Sequence, residues 1–148
     1  MIQDKSHEYF MKEALKEAHK AYDADEVPIG AVIVSEGQII ARAHNLTERL
    51  NDVTAHAEMQ AFTSAAEYLG GKYLHNCTLY VTIEPCVMCS GAAYWAQIKG
   101  IVYGAIDEKR VSSKHGIKLT HPKTIVKQGV LEKECRQIMQ SFFSSKRS

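Results

Sequence analysis

At 148 residues, 45% hydrophobic and 24% charged, the chain has the size and composition of a single globular domain spanning residues 1–148, with a core that does not depend on disulfides. No apolar run nears the roughly 20 residues that a membrane-spanning helix needs, and residues 1–5 carry no signal-peptide apolar region, so no membrane association and a cytoplasmic protein are expected. The net charge of +1 is unevenly spread: no Asp or Glu lies between Lys109 and Leu131, where Lys109, Arg110, Lys114, Lys118, Lys123 and Lys127 supply six of the 18 Lys and Arg residues.

Apolar residues at Met11, Leu15, Ala18 and Tyr22 fall on one face of a helix predicted over 7–24, which the Val27-Pro28-Ile29-Gly30 segment ends. The β-branched run 29–34 and the run 38–43 form a hairpin about a Glu36-Gly37 turn. Thr54 is suited to cap a helix over 55–68 that stops at Gly70-Gly71. A strand over 77–82 follows, then a helix over 86–97 with Pro85 at its start. Strands over 100–105 and 124–128, the second at a sheet edge, precede a helix over 131–143, and 144–148 is expected to be a frayed tail. Helices alternating with strands imply an α/β fold with a partly parallel sheet covered on both faces.

Of the four cysteines, Cys77 and Cys135 read as small core residues, while Cys86 and Cys89 form a C-x-x-C at a helix start. Helix N-terminal amides favour thiolate there. His56 at the preceding helix start supplies a third ligand, and no further C-x-x-C or H-x-x-x-H is present to close the set. Three ligands leave a coordination position for water, as catalytic zinc requires, and mixed nitrogen and sulfur ligation favours Zn2+, one per chain. Glu58, two residues from His56, is placed to move protons at that water. Together these residues suit hydrolytic deamination of an amidine-like ring carbon. A redox or structural C-x-x-C, with Glu58 merely stabilising its helix, is the plainer alternative.

The H-A-E of residues 56–58 and the P-C-V-M-C of residues 85–89 resemble the zinc-dependent nucleoside and nucleobase deaminase superfamily. More narrowly the chain resembles bacterial tRNA-specific adenosine deaminases, through Glu26-Val27-Pro28-Ile29-Gly30, His44-Asn45, Thr54 to Glu58, Leu79 to Cys89, Val102 to Ala105 with Asp107, and Phe142-Phe143. The resemblance implies a three-layer αβα cytidine-deaminase-like fold with about five strands. It also implies conversion of the wobble adenosine of a tRNA anticodon stem-loop to inosine, by a homodimer, with His56, Cys86 and Cys89 on zinc and Glu58 catalytic. Asn45 would bind the extruded nucleoside, Val27, Ile29 and Ile83 would wall the base, and the amides of Ala57 and Cys86 would support the attacked centre. Asp107 and Phe143 would meet flanking nucleotides. Lys109, Arg110, Lys114, Lys118 and Lys123 are candidate phosphate contacts, or a solvated loop.

Two departures stand out. The segment between Gly104-Ala105 and Gly129-Val130 is shorter than is usual in that family, and Val53 stands where Pro is usual. Tyr94-Trp95-Ala96 also resembles guanine deaminases, which keeps open a small-molecule deaminase acting on guanine, cytosine or a free nucleoside. A zinc-stabilised RNA-binding module without catalysis is the third reading.

Overall fold

A computed structural model describes residues 6–107 and 119–146. The elements in chain order are α1 (His7–Asp23), β1 (Gly30–Ser35), β2 (Gln38–His44), α2 (Ala57–Leu69), β3 (Cys77–Ile83), α3 (Val87–Ala96), β4 (Gly100–Ala105), β5 (Ile125–Lys127) and α4 (Glu132–Lys146). Among the described residues no helix is long and apolar enough to cross a membrane.

The strands form one sheet in the order β2-β1-β3-β4-β5. β1 is antiparallel to both β2 and β3, whereas β3, β4 and β5 run parallel. Side chains alternate across this sheet with the two-residue period of a strand. Ala31, Ile33, Leu79, Val81 and Ile101 face Ala57, Ala61, Phe62 and Ala65 of α2 and Ala93 of α3. Val32, Val34, Tyr80 and Val102 face Phe10, Met11 and Ala14 of α1 and Cys135 of α4. Both faces are therefore covered, giving the three-layer mixed α/β architecture expected for a cytidine-deaminase-like fold.

Two glycines permit this close layering. A Cβ on Gly30 would lie 2.0 Å from the Ala14 carbonyl oxygen of α1, and one on Gly104 would lie 2.3 Å from Cys135 Sγ of α4. Cys77 and Cys135 are both fully buried, as expected of core residues, and burial pushes the Cys135 thiol up to about 12, with a smaller contribution from Glu134.

Local chemistry sets the boundaries. Ser6 caps α1 by accepting from the Tyr9 amide at 3.2 Å. The hairpin turn has positive φ at both Glu36 (51°) and Gly37 (77°), the requirement of a tight two-residue connection. Gly70, at φ 70°, closes α2 in the left-handed conformation.

The last helix corrects the expected tail. α4 continues to Lys146, because Lys146 pairs with Asp25 and lies over the Phe142 ring, 5.4 Å from its centroid. Residues 147 and 148 lie outside the described residues.

The register gathers one end of the sheet into a site. Gly30 pairs with His44, Ala31 with Val81, and Ile83 with Ala105. The segments that follow β2, β3 and β4, and the one that precedes β1, therefore converge on the same sheet edge, where parallel strands end and α3 begins.

Candidate active site

His56 is the N-cap of α2 and makes no side-chain cap hydrogen bond of its own. Cys86 is the N-cap of α3, its sulfur accepting from the Cys89 amide at 3.4 Å. Both helices thus start later than the sequence suggested. Thr54 does not cap α2, because its hydroxyl and amide both donate to Asp52 Oδ1, at 2.7 and 2.8 Å. Cys86 likewise caps α3 rather than entering it, with Pro85 before the cap. The relation between a cap and the third helical residue, not a shared helical face, brings the two cysteines together.

His56 Nδ1 lies 3.5 Å from Cys86 Sγ and 3.5 Å from Cys89 Sγ, and the three ligand atoms all lie within 4.8 Å of one another. Tetrahedral zinc, with bonds of about 2.05 Å to nitrogen and 2.3 Å to sulfur, separates those atoms by roughly 3.6 Å. The donor set fits zinc in both spacing and chemistry. Among protein groups alone, the adjacent Cys86 sulfur, burial and the Glu58 carboxylate all push the Cys89 thiol up. A dication at the centre of the three ligands reverses that preference and favours thiolate.

Glu58 is only 3% exposed and interacts with the Cys89 thiol. Its carboxylate therefore lies beside the ligand triad inside the protein. Its position as the second residue of α2, after the cap His56 and the fully buried Ala57, follows from the H-A-E spacing.

The remaining sequence-predicted residues fall into three groups. Ile29, Asn45, Ile83 and Asp107 belong to the converging sheet edge. Asn45 is buried, its amide donating to the Ile29 carbonyl at 3.1 Å. Ile83 is buried, whereas Val27 and Ile29 are half-buried. At the second location, Val27 lines a cavity of about 630 Å³ with Phe142 and Lys146 of α4, Arg49 and Glu48. Phe142 is buried there, edge-on to Tyr22, while its neighbour Phe143 is 41% exposed. The third group is the basic segment: Lys123 is exposed, and Lys109, Arg110, Lys114 and Lys118 lie outside the described residues.

Two positioning side chains escaped the sequence reading. Gln60 Nε2 donates to the carbonyls of His44 at 2.8 Å and Ala55 at 3.2 Å, tying the end of β2 to the approach to His56. Glu84 Oε1 accepts from the Asp107 amide at 3.2 Å, fixing the chain after β4 against the segment that carries Cys86. Glu84 stands next to Pro85-Cys86 in the motif, a signal available in the sequence; nothing local announces Gln60.

A family model for the cytidine and deoxycytidylate deaminase zinc-binding region matches residues 4–105. The chain belongs to the cytidine and deoxycytidylate deaminase family. Among its relatives, this deaminase is 48% identical to a tRNA-specific adenosine deaminase of Streptococcus pyogenes serotype M1, an alignment covering 91% of this chain and 82% of that one. It is also similar to a solved structure from work on A-to-I editing by tRNA:A34 deaminases at the wobble position, with a TM-score of 0.82 and 44% identity over 88% of this chain and 98% of that one. A guanine deaminase structure from Bacillus subtilis is 44% identical as well, but with a TM-score of 0.66 and coverage of 69% of this chain and 66% of that one. The match to the wobble-position deaminase extends further along the deaminase chain than the match to the guanine deaminase.

Proposed function

We propose that this deaminase converts the wobble adenosine of a tRNA anticodon to inosine by hydrolysis, with Glu58 as the proton shuttle. The observation that carries the chemistry is a buried carboxylate beside a nitrogen-sulfur-sulfur triad, three protein ligands among the described residues where a closed structural zinc site has four. Its tRNA-specific relatives and their fuller coverage support the choice of substrate.

When bound, zinc supplies Lewis acidity that brings the pKa of coordinated water to about 7. Glu58 takes a proton from the attacking water and delivers it to the adjacent ring nitrogen as oxygen bonds to the amino-bearing carbon. The same carboxylate then collects the second proton from the added oxygen and passes it to the amino group, which departs as ammonia while that oxygen becomes the carbonyl of inosine. One water is consumed and one ammonia released. Burial of Glu58 keeps bulk water from competing for these transfers. Asn45, buried at the end of β2, holds the extruded nucleoside by donating and accepting hydrogen bonds, while Val27, Ile29 and Ile83 wall the ring. The amides of Ala57 and Cys86 face the reacting centre from the starts of α2 and α3.

Recognition of unpaired RNA falls to peripheral residues. Exposed Phe143 offers a stacking surface, Asp107 meets a flanking nucleotide, and the basic segment that includes Lys123 holds phosphate. A homodimer is supported by the exposed Val87, Tyr94 and Trp95 on α3, of which Trp95 is 77% exposed. A tRNA substrate accords with work in the cytoplasm.

The test is to incubate zinc-loaded protein with an anticodon stem-loop bearing a wobble adenosine and, separately, with free guanine, cytosine and adenosine. Inosine in the stem-loop with matching ammonia is expected. Turnover of a free base with an untouched stem-loop would defeat the tRNA reading in favour of a small-molecule deaminase.

A further inference from the structure

Glu26 is 1% exposed and has no cationic partner among the described residues, an unusual state for a carboxylate, and the mechanism above does not use it. Its backbone is fixed by the end of α1. The Asp25 amide donates to Tyr22 at 3.1 Å, the Glu26 amide donates to Ala21 at 2.9 Å, and Asp25 has φ 63°. This is the paired closure of a Schellman motif. It leaves Glu26 at the second position beyond the C-cap Ala24, its backbone pinned to the last turn of the helix.

The carboxylate reaches across 22 residues of sequence. One oxygen accepts from the Glu48 amide at 3.0 Å and the other from the Arg49 amide at 2.7 Å. Those amides belong to a tight turn in which Leu50 donates to Leu46 at 2.9 Å and Asp52 to Thr47 at 3.0 Å. The first amides of such a turn have no partner within it, and Glu26 supplies the partners from another segment. Charge-assisted bonds to two amides also satisfy a carboxylate that burial would otherwise penalise.

The turn touches Asn45. Thr47 Oγ1 is 3.5 Å from Asn45 Nδ2, the Leu46 amide donates to the Ala55 carbonyl at 3.0 Å, and the Asn45 amide donates to Ile29 at 3.1 Å. A continuous set of contacts therefore runs from the end of α1, through Glu26 and the 46–50 turn, to the side chain of Asn45. None of its members is a zinc ligand.

We infer that Glu26 is a positioning residue for the reaction: it acts through the 46–50 turn to hold the Asn45 side chain in the orientation that receives the nucleoside. This rests on the reading of Asn45 as a substrate anchor. A purely structural Glu26 would lower stability and the active fraction whatever residue stands at 45. A positioning Glu26 matters only while Asn45 is present.

The experiment is a double-mutant cycle of Glu26→Gln and Asn45→Ala, reading kcat/KM on an anticodon stem-loop with a wobble adenosine, normalised to zinc content. Gln keeps the shape but turns one acceptor into a donor facing an amide. Glu26→Gln is expected to bind zinc stoichiometrically, to lose protection from hydrogen exchange at the Glu48 and Arg49 amides but not in the sheet, and to lower kcat/KM by about 30-fold. On the Asn45→Ala background the same substitution should cost less than about threefold. Should Glu26→Gln fail to fold, Glu26→Asp, with both oxygens on a shorter arm, is expected to lose about fivefold, again only where Asn45 is present. Wild-type kcat/KM in the Glu26 variant, or a penalty that persists in full without Asn45, would overturn the inference while leaving the Asn45 reading intact. If Asn45→Ala alone turns over normally, that reading fails and the inference fails with it.

Discussion

His56 Nδ1 and Cys86 Sγ stand 3.5 Å apart across 30 residues of sequence, and each residue is the N-cap of its helix. Two helix starts meeting at one end of the sheet thus supply the ligands. The ligands are confined to the two caps and the first turn of α3, so the rest of each helix is free to pack on the sheet without the metal. Chelation is accordingly expected to abolish turnover while leaving most of the far-UV circular dichroism, with activity restored by added zinc. Cys86→Ala and Cys89→Ala should fail to retain stoichiometric zinc on metal analysis. Loss of the whole fold on chelation would show that the ligands are structural.

Glu58 is buried beside Cys89 but is not needed as a ligand. Glu58→Gln should therefore bind zinc like the wild type and lose roughly 10²- to 10⁴-fold in kcat, the range for removal of a general acid-base. Metal analysis and single-turnover deamination measure the two quantities separately. Near-normal turnover would remove Glu58 from the proton path.

Phe142 and Phe143 are neighbours with opposite duties. Phe142 is 6% exposed and packs on Tyr22, whereas Phe143 is 41% exposed. Phe142→Ala should destabilise the fold by about 3 kcal/mol through the cavity it leaves. Phe143→Ala should change stability by less than about 0.5 kcal/mol but raise KM for the stem-loop by roughly tenfold, the scale of one lost base-stacking contact. Denaturant unfolding and steady-state kinetics on both variants check the division.

Most of the site was legible because its signals are short-range. The H-A-E and P-C-V-M-C spacings bring out the ligands and Glu58 without any knowledge of the sheet, and the short apolar runs place β1, β3 and β4 within a residue of where they form. What was misplaced depended on longer-range contacts or competing local bonds. Residues 144–146 look like a polar tail, yet Asp25, more than a hundred residues earlier, holds Lys146 in α4. Thr54 looks like a cap, but Asp52 takes both its donors. Gln60 gives no local signal, and although Glu26 opens the Glu26-Val27-Pro28-Ile29-Gly30 run, nothing in that run points to its partners, the backbone amides of Glu48 and Arg49.

A partly exposed ionic contact on the opposite face of the sheet gives a pH signature separate from catalysis. Hydrogen bonds from Lys16 and then Arg42 hold the Glu13 carboxyl below its ordinary value of 4.5, with Arg42 Nη2 2.8 Å from Glu13 Oε1. A lowered folded-state pKa contributes stability above the unfolded pKa, and that contribution is lost as pH falls through the folded one. Arg42→Ala should thus cost about 1 kcal/mol near pH 7 and progressively less on acidification below about pH 4. Urea melts of wild type and variant across that window provide the comparison; a penalty independent of pH would mean that Arg42 stabilises only by packing.

The central claim is that a water at the His56, Cys86 and Cys89 centre, served by Glu58, deaminates one adenosine at one place in an RNA loop. The most direct measurement uses two anticodon stem-loops that differ only at the wobble position, adenosine in one and guanosine in the other, with ammonia and the position of inosine both recorded. One inosine at the wobble position and one ammonia per molecule are expected from the first, and neither from the second. Ammonia from the second stem-loop, or deamination of free guanine while the first remains unmodified, would contradict the account.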